Sequence, residues 1–169
     1  QGHFLESLKA LAMTEAWPEG YNYWINNRAF LISLATTAYL NGLEVAENHD
    51  QVMETLRRIG YWHIYNTRPD NKAHGLGDEG PRVDLKDETR RIIDLITQAT
   101  KDPVLAAYSN YLGELHRHAS YYQDYRWGFI LFNDPSIIPE AQPTKKTLSF
   151  AQRLPTAALF GINAMNMAY

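Results

Sequence analysis

Apolar residues recur at three- and four-residue intervals along most of the chain, the spacing that gives a helix one buried face. Between Phe4 and Ala16 the positions Leu5, Leu8, Leu11 and Ala12 share a face, and Pro18 stops the run. From Trp24 to Tyr39 the stripe is Phe30, Leu31, Leu34, Ala35 and Ala38, with Gly42 where a C-terminal cap belongs. Asp50 is placed to cap a third helix, whose inner face is Val52, Met53, Leu56, Ile59 and His63. Asp87 caps a fourth, with Ile92, Ile93, Leu95, Ile96 and Ala99 inside. At Lys101-Asp102-Pro103 one helix ends and another starts, Asp102 serving as N-cap and Pro103 as first helical residue, where a missing N–H costs nothing. The helix that follows runs to about His116 and buries Leu105, Tyr108, Leu112 and Leu115, and a shorter one spans Asp124 to Phe132.

Two stretches break this period. Asn66 to Lys86 gathers Pro69, Gly75, Gly77, Gly80 and Pro81 among charges and reads as a long ordered loop, of the kind that is either functional or flexible. Asn133 to Pro155 is rich in Pro and Thr and reads as a connector, after which Ala158 to Met165 leans towards a strand. Helices of this length joined in antiparallel pairs predict an all-α, α/α architecture with a short strand at the C-terminus. No repeat emerges that would make it a regular solenoid.

Composition narrows the chemistry more than the fold. Of 169 residues 45% are hydrophobic and 21% charged, enough apolar surface for a core and too little charge for disorder. The aromatics are weighted towards rings with a polar edge, 11 Tyr and 4 Trp against 6 Phe, which suits surfaces that stack on sugars as well as ordinary cores. A formal net charge of −3 argues against a general nucleic-acid binder. The absence of cysteine removes disulfide scaffolds and thiolate metal sites. No apolar run approaches the roughly 20 residues of a membrane span. The opening Gln1-Gly2-His3 has neither initiator Met nor signal pattern, and is expected of a processed or trimmed chain.

The densest group of reactive side chains is Trp17-Pro18-Glu19-Gly20-Tyr21-Asn22-Tyr23-Trp24, continued by Asn26, Asn27 and Arg28. If a helix opens near Glu19, that carboxylate and the Tyr23 phenol lie one turn apart on the same face. A helix boundary with an aromatic anchor has the same appearance. Trp62, His63, Tyr65, Asn66 and Arg68, at a helix end, and His74 in the loop are further candidates for a sugar groove, with Arg68 or Arg82 available to pair with a carboxylate. Packing of an aromatic helix end beneath the loop explains them equally. His116 and His118 are two apart and face different directions on a helix, so no metal site is expected, and nothing calls for a cofactor.

These segments resemble, in order, motifs of the heparinase II/III-like and alginate lyases. Trp17 to Trp24 is similar to that family's Asp-Gly-Gly-Trp-Pro-Glu-Gly-x-x-Tyr-Trp segment, which opens a helix of an incomplete (α/α) toroid. Gly75-Leu76-Gly77-Asp78-Glu79-Gly80-Pro81 resembles its Gly-Asp loop, and Thr100-Lys101-Asp102-Pro103 its Thr-x-Asp-Pro restart. Leu154-Pro155-Thr156 to Tyr169 looks like the crossing into its β-sandwich. The resemblance divides the chain into part of a toroid over 1–132, a connector over 133–156, and the start of a β-domain or a C-terminal extension over 157–169.

What the resemblance implies is β-elimination on acidic polysaccharides. A base takes the proton α to a uronate carboxyl while an acid protonates the departing oxygen. By position Tyr23 matches the family's catalytic Tyr and Glu19 the acidic residue beside it; Trp24, Asn27, Arg28, Trp62, Arg68 and His74 are expected to contact substrate. The family's carboxylate-neutralising Asn or His falls before Gln1 and its second His beyond Tyr169, so the chain alone is expected to be inactive. A periplasmic or secreted location is likewise implied by the family, without a signal in the chain. The alternative is a non-catalytic α-helical module that binds a glycan or a protein partner.

Overall fold

In the computed structural model, residues 3, 6, 20–42, 49–75, 79–80, 83–115, 126–139, 157–160 and 164–167 are described. The fold is all-α. A continuous helical run comprises α1 (Tyr21–Tyr23), a π-helical turn (Trp24–Arg28) and α2 (Ala29–Gly42). There follow α3 (His49–Tyr65), a ribbon of β1 (Lys72–Ala73) and β2 (Val83–Asp84), α4 (Asp87–Thr100), α5 (Pro103–Leu115), α6 (Arg126–Phe132), and a hairpin of β3 (Ala157–Phe160) and β4 (Ala164–Met167). The helix expected over Phe4 to Ala16 lies outside the described residues apart from Glu6, which is helical.

Helix α4 sits at the centre. Its predicted inner residues Ile92, Ile93, Leu95 and Ile96 are buried, and so are Arg90, Arg91, Asp94 and Thr97 on its other faces. Lys101 ends the helix in the left-handed region at φ 55°. Asp102 then starts α5 as predicted: its Oδ1 accepts from the backbone N–H groups of Val104 at 2.8 Å and Leu105 at 3.2 Å. Its Oδ2 accepts from the Tyr61 hydroxyl at 2.8 Å and forms an ion pair with Arg57 Nε at 3.1 Å, so one buried carboxylate both caps α5 and fastens α3 to it. Burial and this bond to Asp102 raise the Tyr61 phenol above its ordinary pKa.

Contacts fix the helix directions. Ser109 of α5 meets Arg90 and Asp94 of α4, and Gly113 lies against Arg90, so the two helices run antiparallel. Asp102 meets Arg57, Leu105 meets Gly60 and Tyr108 meets His63, so α3 and α5 run the same way. Glycine at position 60 has a packing reason: a Cβ there would lie 2.8 Å from both methyls of the fully buried Leu105.

Three expectations need correction. The stripe Phe30, Leu31, Leu34, Ala35, Ala38 is not the inner face of α2; Ala29, Phe30, Ser33 and Thr36 are buried, whereas Leu31 is 57% and Leu34 37% exposed. Small residues let α2 approach α4, and the Thr36 hydroxyl satisfies itself on the Ile32 carbonyl at 2.7 Å. The Asn66 to Lys86 loop contains a ribbon, with Lys72 opposite Asp84 and Ala73 opposite Val83, and the Lys72 ammonium bonded to the Asp84 carboxylate. The single C-terminal strand is a two-stranded antiparallel hairpin, Ala157 pairing with Met167 and Phe160 with Ala164. A smaller shift concerns Asp87, the first residue of α4 rather than its cap, which is Lys86.

Gly60→Ala is expected to destabilise the protein by about 1 kcal/mol, because overpacking at a rigid site costs roughly 1–3 kcal/mol and alanine returns about 1 through helix propensity. Asp102→Ala is expected to cost about 2 kcal/mol, the sum of a lost cap and unpaired partners on α3. Urea unfolding at neutral pH measures both, and an unchanged midpoint for Asp102→Ala would remove it as the tie between helices.

Candidate functional site

The helix bearing Tyr23 begins at Gly20, whose φ of 97° is a conformation side chains other than glycine's adopt at a cost. Its first N–H groups are capped from a distance. Glu79, in the loop after the first ribbon strand, accepts from the Tyr21 N–H through Oε2 at 2.9 Å and from the Asn22 N–H through Oε1. A carboxylate in that place also meets the positive end of the helix dipole. Tyr21 itself points inward: its hydroxyl bonds the Thr89 hydroxyl and accepts from Lys86 N–H at 3.0 Å, and burial pushes its pKa up to about 12 despite those bonds.

Tyr23 is turned the other way. Its side chain is 42% exposed, and the Arg28 guanidinium lies 5.6 Å from its ring centroid while donating to the Tyr23 carbonyl at 3.0 Å. The intervening π turn, in which the Ala29 N–H reaches back to the Trp24 carbonyl, brings Arg28 into that position. Single π turns inside helices occur frequently at functional sites.

The remaining candidates separate by burial. Trp24 is fully buried and Trp62 is 4% exposed; they meet edge to face at 6.4 Å in the core, so neither offers a ring face for stacking on a sugar. Their expected role as substrate contacts is corrected to core packing. Arg68 bonds Asp70 at 2.8 Å on the turn that leads into the ribbon, and His74 lies beyond it, its pKa lowered by burial and by the Arg68 charge. Asn27 is within the π turn, with its side chain outside the described residues, as is the whole of Glu19. Asp78 and Arg82 also fall outside them. No cluster of three or more His, Asp or Glu able to hold a metal occurs among the described residues.

Glu79 is the site residue the sequence reading missed. It stands in the segment likened to a Gly-Asp loop, and nothing local marks a carboxylate that caps a helix so far back in the chain. His63, predicted on the inner stripe of α3, is fully buried between Tyr21 and Trp62, at 6.3 and 5.1 Å between ring centroids. Among the described residues neither of its ring nitrogens has a hydrogen-bond partner.

Comparison with protein-family models, curated proteins and solved structures found no match. Among the described residues no helix is long and apolar enough to cross a membrane.

Burial lowers the His63 pKa to about 3, against about 6.5 when unfolded. Between those values the unfolded chain binds the extra proton, so the stability His63 permits is intact above pH 6.5 and lost as pH falls towards 3. Its contribution between pH 7 and pH 5 is a loss of about 2 kcal/mol, read from urea midpoints. His63→Leu should flatten that part of the profile; the same acid sensitivity in the variant would clear the imidazole.

Proposed function

We propose that the chain is the helical part of a polysaccharide lyase that cleaves uronic-acid-containing polysaccharides by β-elimination, with Tyr23 as the proton donor. The observation that carries this reading is the exposed Tyr23 phenol at the head of a helix, with the Arg28 cation over its ring. The ordered resemblance of four segments to one lyase family supports it. In the reaction a base takes the proton on C5 of the uronate, the electron pair forms the C4–C5 double bond, and the C4–O4 bond breaks. Tyr23 gives its proton to O4 as it leaves, and Arg28 offsets the negative charge gathering on the uronate carboxyl. Under this reading the protein works in the periplasm or outside the cell, where such polymers are met.

A second reading, a non-catalytic helical module that binds a glycan or protein, is favoured by the outer face of α6. There Trp127 is 54%, Ile130 82% and Leu131 56% exposed.

The test uses the protein in its full natural length on a panel of uronic-acid polymers, following the ultraviolet absorbance of unsaturated uronates. The wild type should release them, and Tyr23→Phe should lower turnover by about 100-fold or more with folding retained. Undiminished turnover in the variant would remove Tyr23 from the chemistry. Binding to the polymers without any product would support the module instead.

A further inference from the structure

A cavity of about 230 Å³ opens between α4, α5 and the turn at 133–139. Its walls are polar where a helix interface would ordinarily be apolar. Arg90, Asp94 and Thr97 come from α4, Asn110 from α5, and Asn133 from the turn, with Ile137 at the rim. Burying a charged pair between helices is commonly less stable than filling the space with apolar side chains, so packing alone does not account for this lining.

The polar groups are held in place. Asp94 is 3% exposed; its Oδ1 accepts from the Ser109 hydroxyl and its Oδ2 from the Asn133 amide at 3.3 Å. Arg90 is 7% exposed, donates through Nε to the Ser109 oxygen at 3.2 Å, and lies 5.0 Å from the Phe129 ring centroid. Gly113 makes the room, since a Cβ there would sit 2.9 Å from the Arg90 guanidinium carbon. One wall residue has a hydroxyl to spare: Thr97 is 5% exposed, and its Oγ1 has no hydrogen-bond partner among the described residues. That oxygen is buried, and a χ1 rotation to the other rotamer open to threonine on a helix is what brings it to the cavity.

Charge and size then specify the ligand class. Arg90 and Asp94 face each other at 3.9 Å, and Asp134 on the turn is held by Lys101 at 2.9 Å, so each charge already has its counter-charge. A net anion would meet two carboxylates and a net cation would meet Arg90. The volume equals about eight waters at roughly 30 Å³ each, the room of one six-membered ring carrying hydroxyls. We propose that this cavity binds a single neutral sugar ring, its hydroxyls on Asp94, Asn110 and Thr97 and an apolar face against Ile137. The site does not depend on the lyase reading, nor on Tyr23.

Titration of the isotope-labelled chain with D-glucose, D-galactose and D-mannose tests it, with D-glucuronate as the charged control. At least one neutral hexose should saturate shifts in the amides of 94–110 and 133–137, with glucuronate binding at least tenfold more weakly. Asp94→Asn should weaken that hexose at least tenfold, and Thr97→Val, nearly isosteric and safe for folding, about threefold or more. Tyr23→Phe should leave it unchanged. No saturation by any of the three hexoses, tighter binding of glucuronate, or full affinity in Thr97→Val would each overturn the proposal.

Discussion

Helix α4 is buried along most of its length, with only Glu88, Gln98 and Ala99 part-exposed, and that constraint organises the molecule. A helix with one face in water can leave its charges there; α4 cannot, so Arg90, Arg91 and Asp94 must be met by protein. Arg91 is covered by the Phe30 ring at 4.0 Å, which ties α2 to α4 by a desolvated cation–π contact. Arg90 and Asp94 are met by Ser109 from α5, which fixes the register of that antiparallel pair. The third neighbour, α3, is bonded to Asp102 at the start of α5 through Tyr61 and Arg57. A central helix of mixed character thus settles the placement of its neighbours through polar contacts, with the isoleucines supplying the area and the polar groups the alignment.

How much of this is legible in the residues depends on the range of the interaction. The Asp102 cap was readable because donor and acceptor lie two and three residues apart. The α3 stripe was readable because Leu56 and Ile59 join the apolar core, with Val52 buried one turn before them. The α2 face was misread because its neighbour demands small residues, and periodicity gives Leu31 and Leu34 more weight than Ser33 and Thr36. At the C-terminus, Gly161 and Asn163 carried a turn signal that reading the segment as one strand passed over.

The candidate site divides along the same line. Trp24 and Trp62 have the composition of sugar platforms, yet a tryptophan's role is decided by what reaches it in space, and each is reached by the other. Tyr21 and Tyr23 differ by two positions and so leave the helix in different directions, one into the Thr89 contact and one to solvent. Sequence alone offered both phenols. Helix phase, set by a cap at Glu79 that is distant in the chain, selects between them.

That cap also bears on how an acidic sugar could be held. The start of a helix is a ready-made anion site, and a uronate carboxylate beside Tyr23 would ordinarily be drawn to it. Here the site is filled by the protein's own carboxylate, since Glu79 takes the N–H groups of both Tyr21 and Asn22. A second anion there would face Glu79 at close range. Under the proposed function, recognition of a uronate near Tyr23 would fall to side-chain cations rather than to the backbone, and Arg28, bonded to the Tyr23 carbonyl across the π turn, is a cation beside the phenol. The same arrangement makes the loop around Glu79 part of the machinery that holds Tyr23. A change there would tilt the helix start and move the phenol, even though no atom of that loop need touch the sugar.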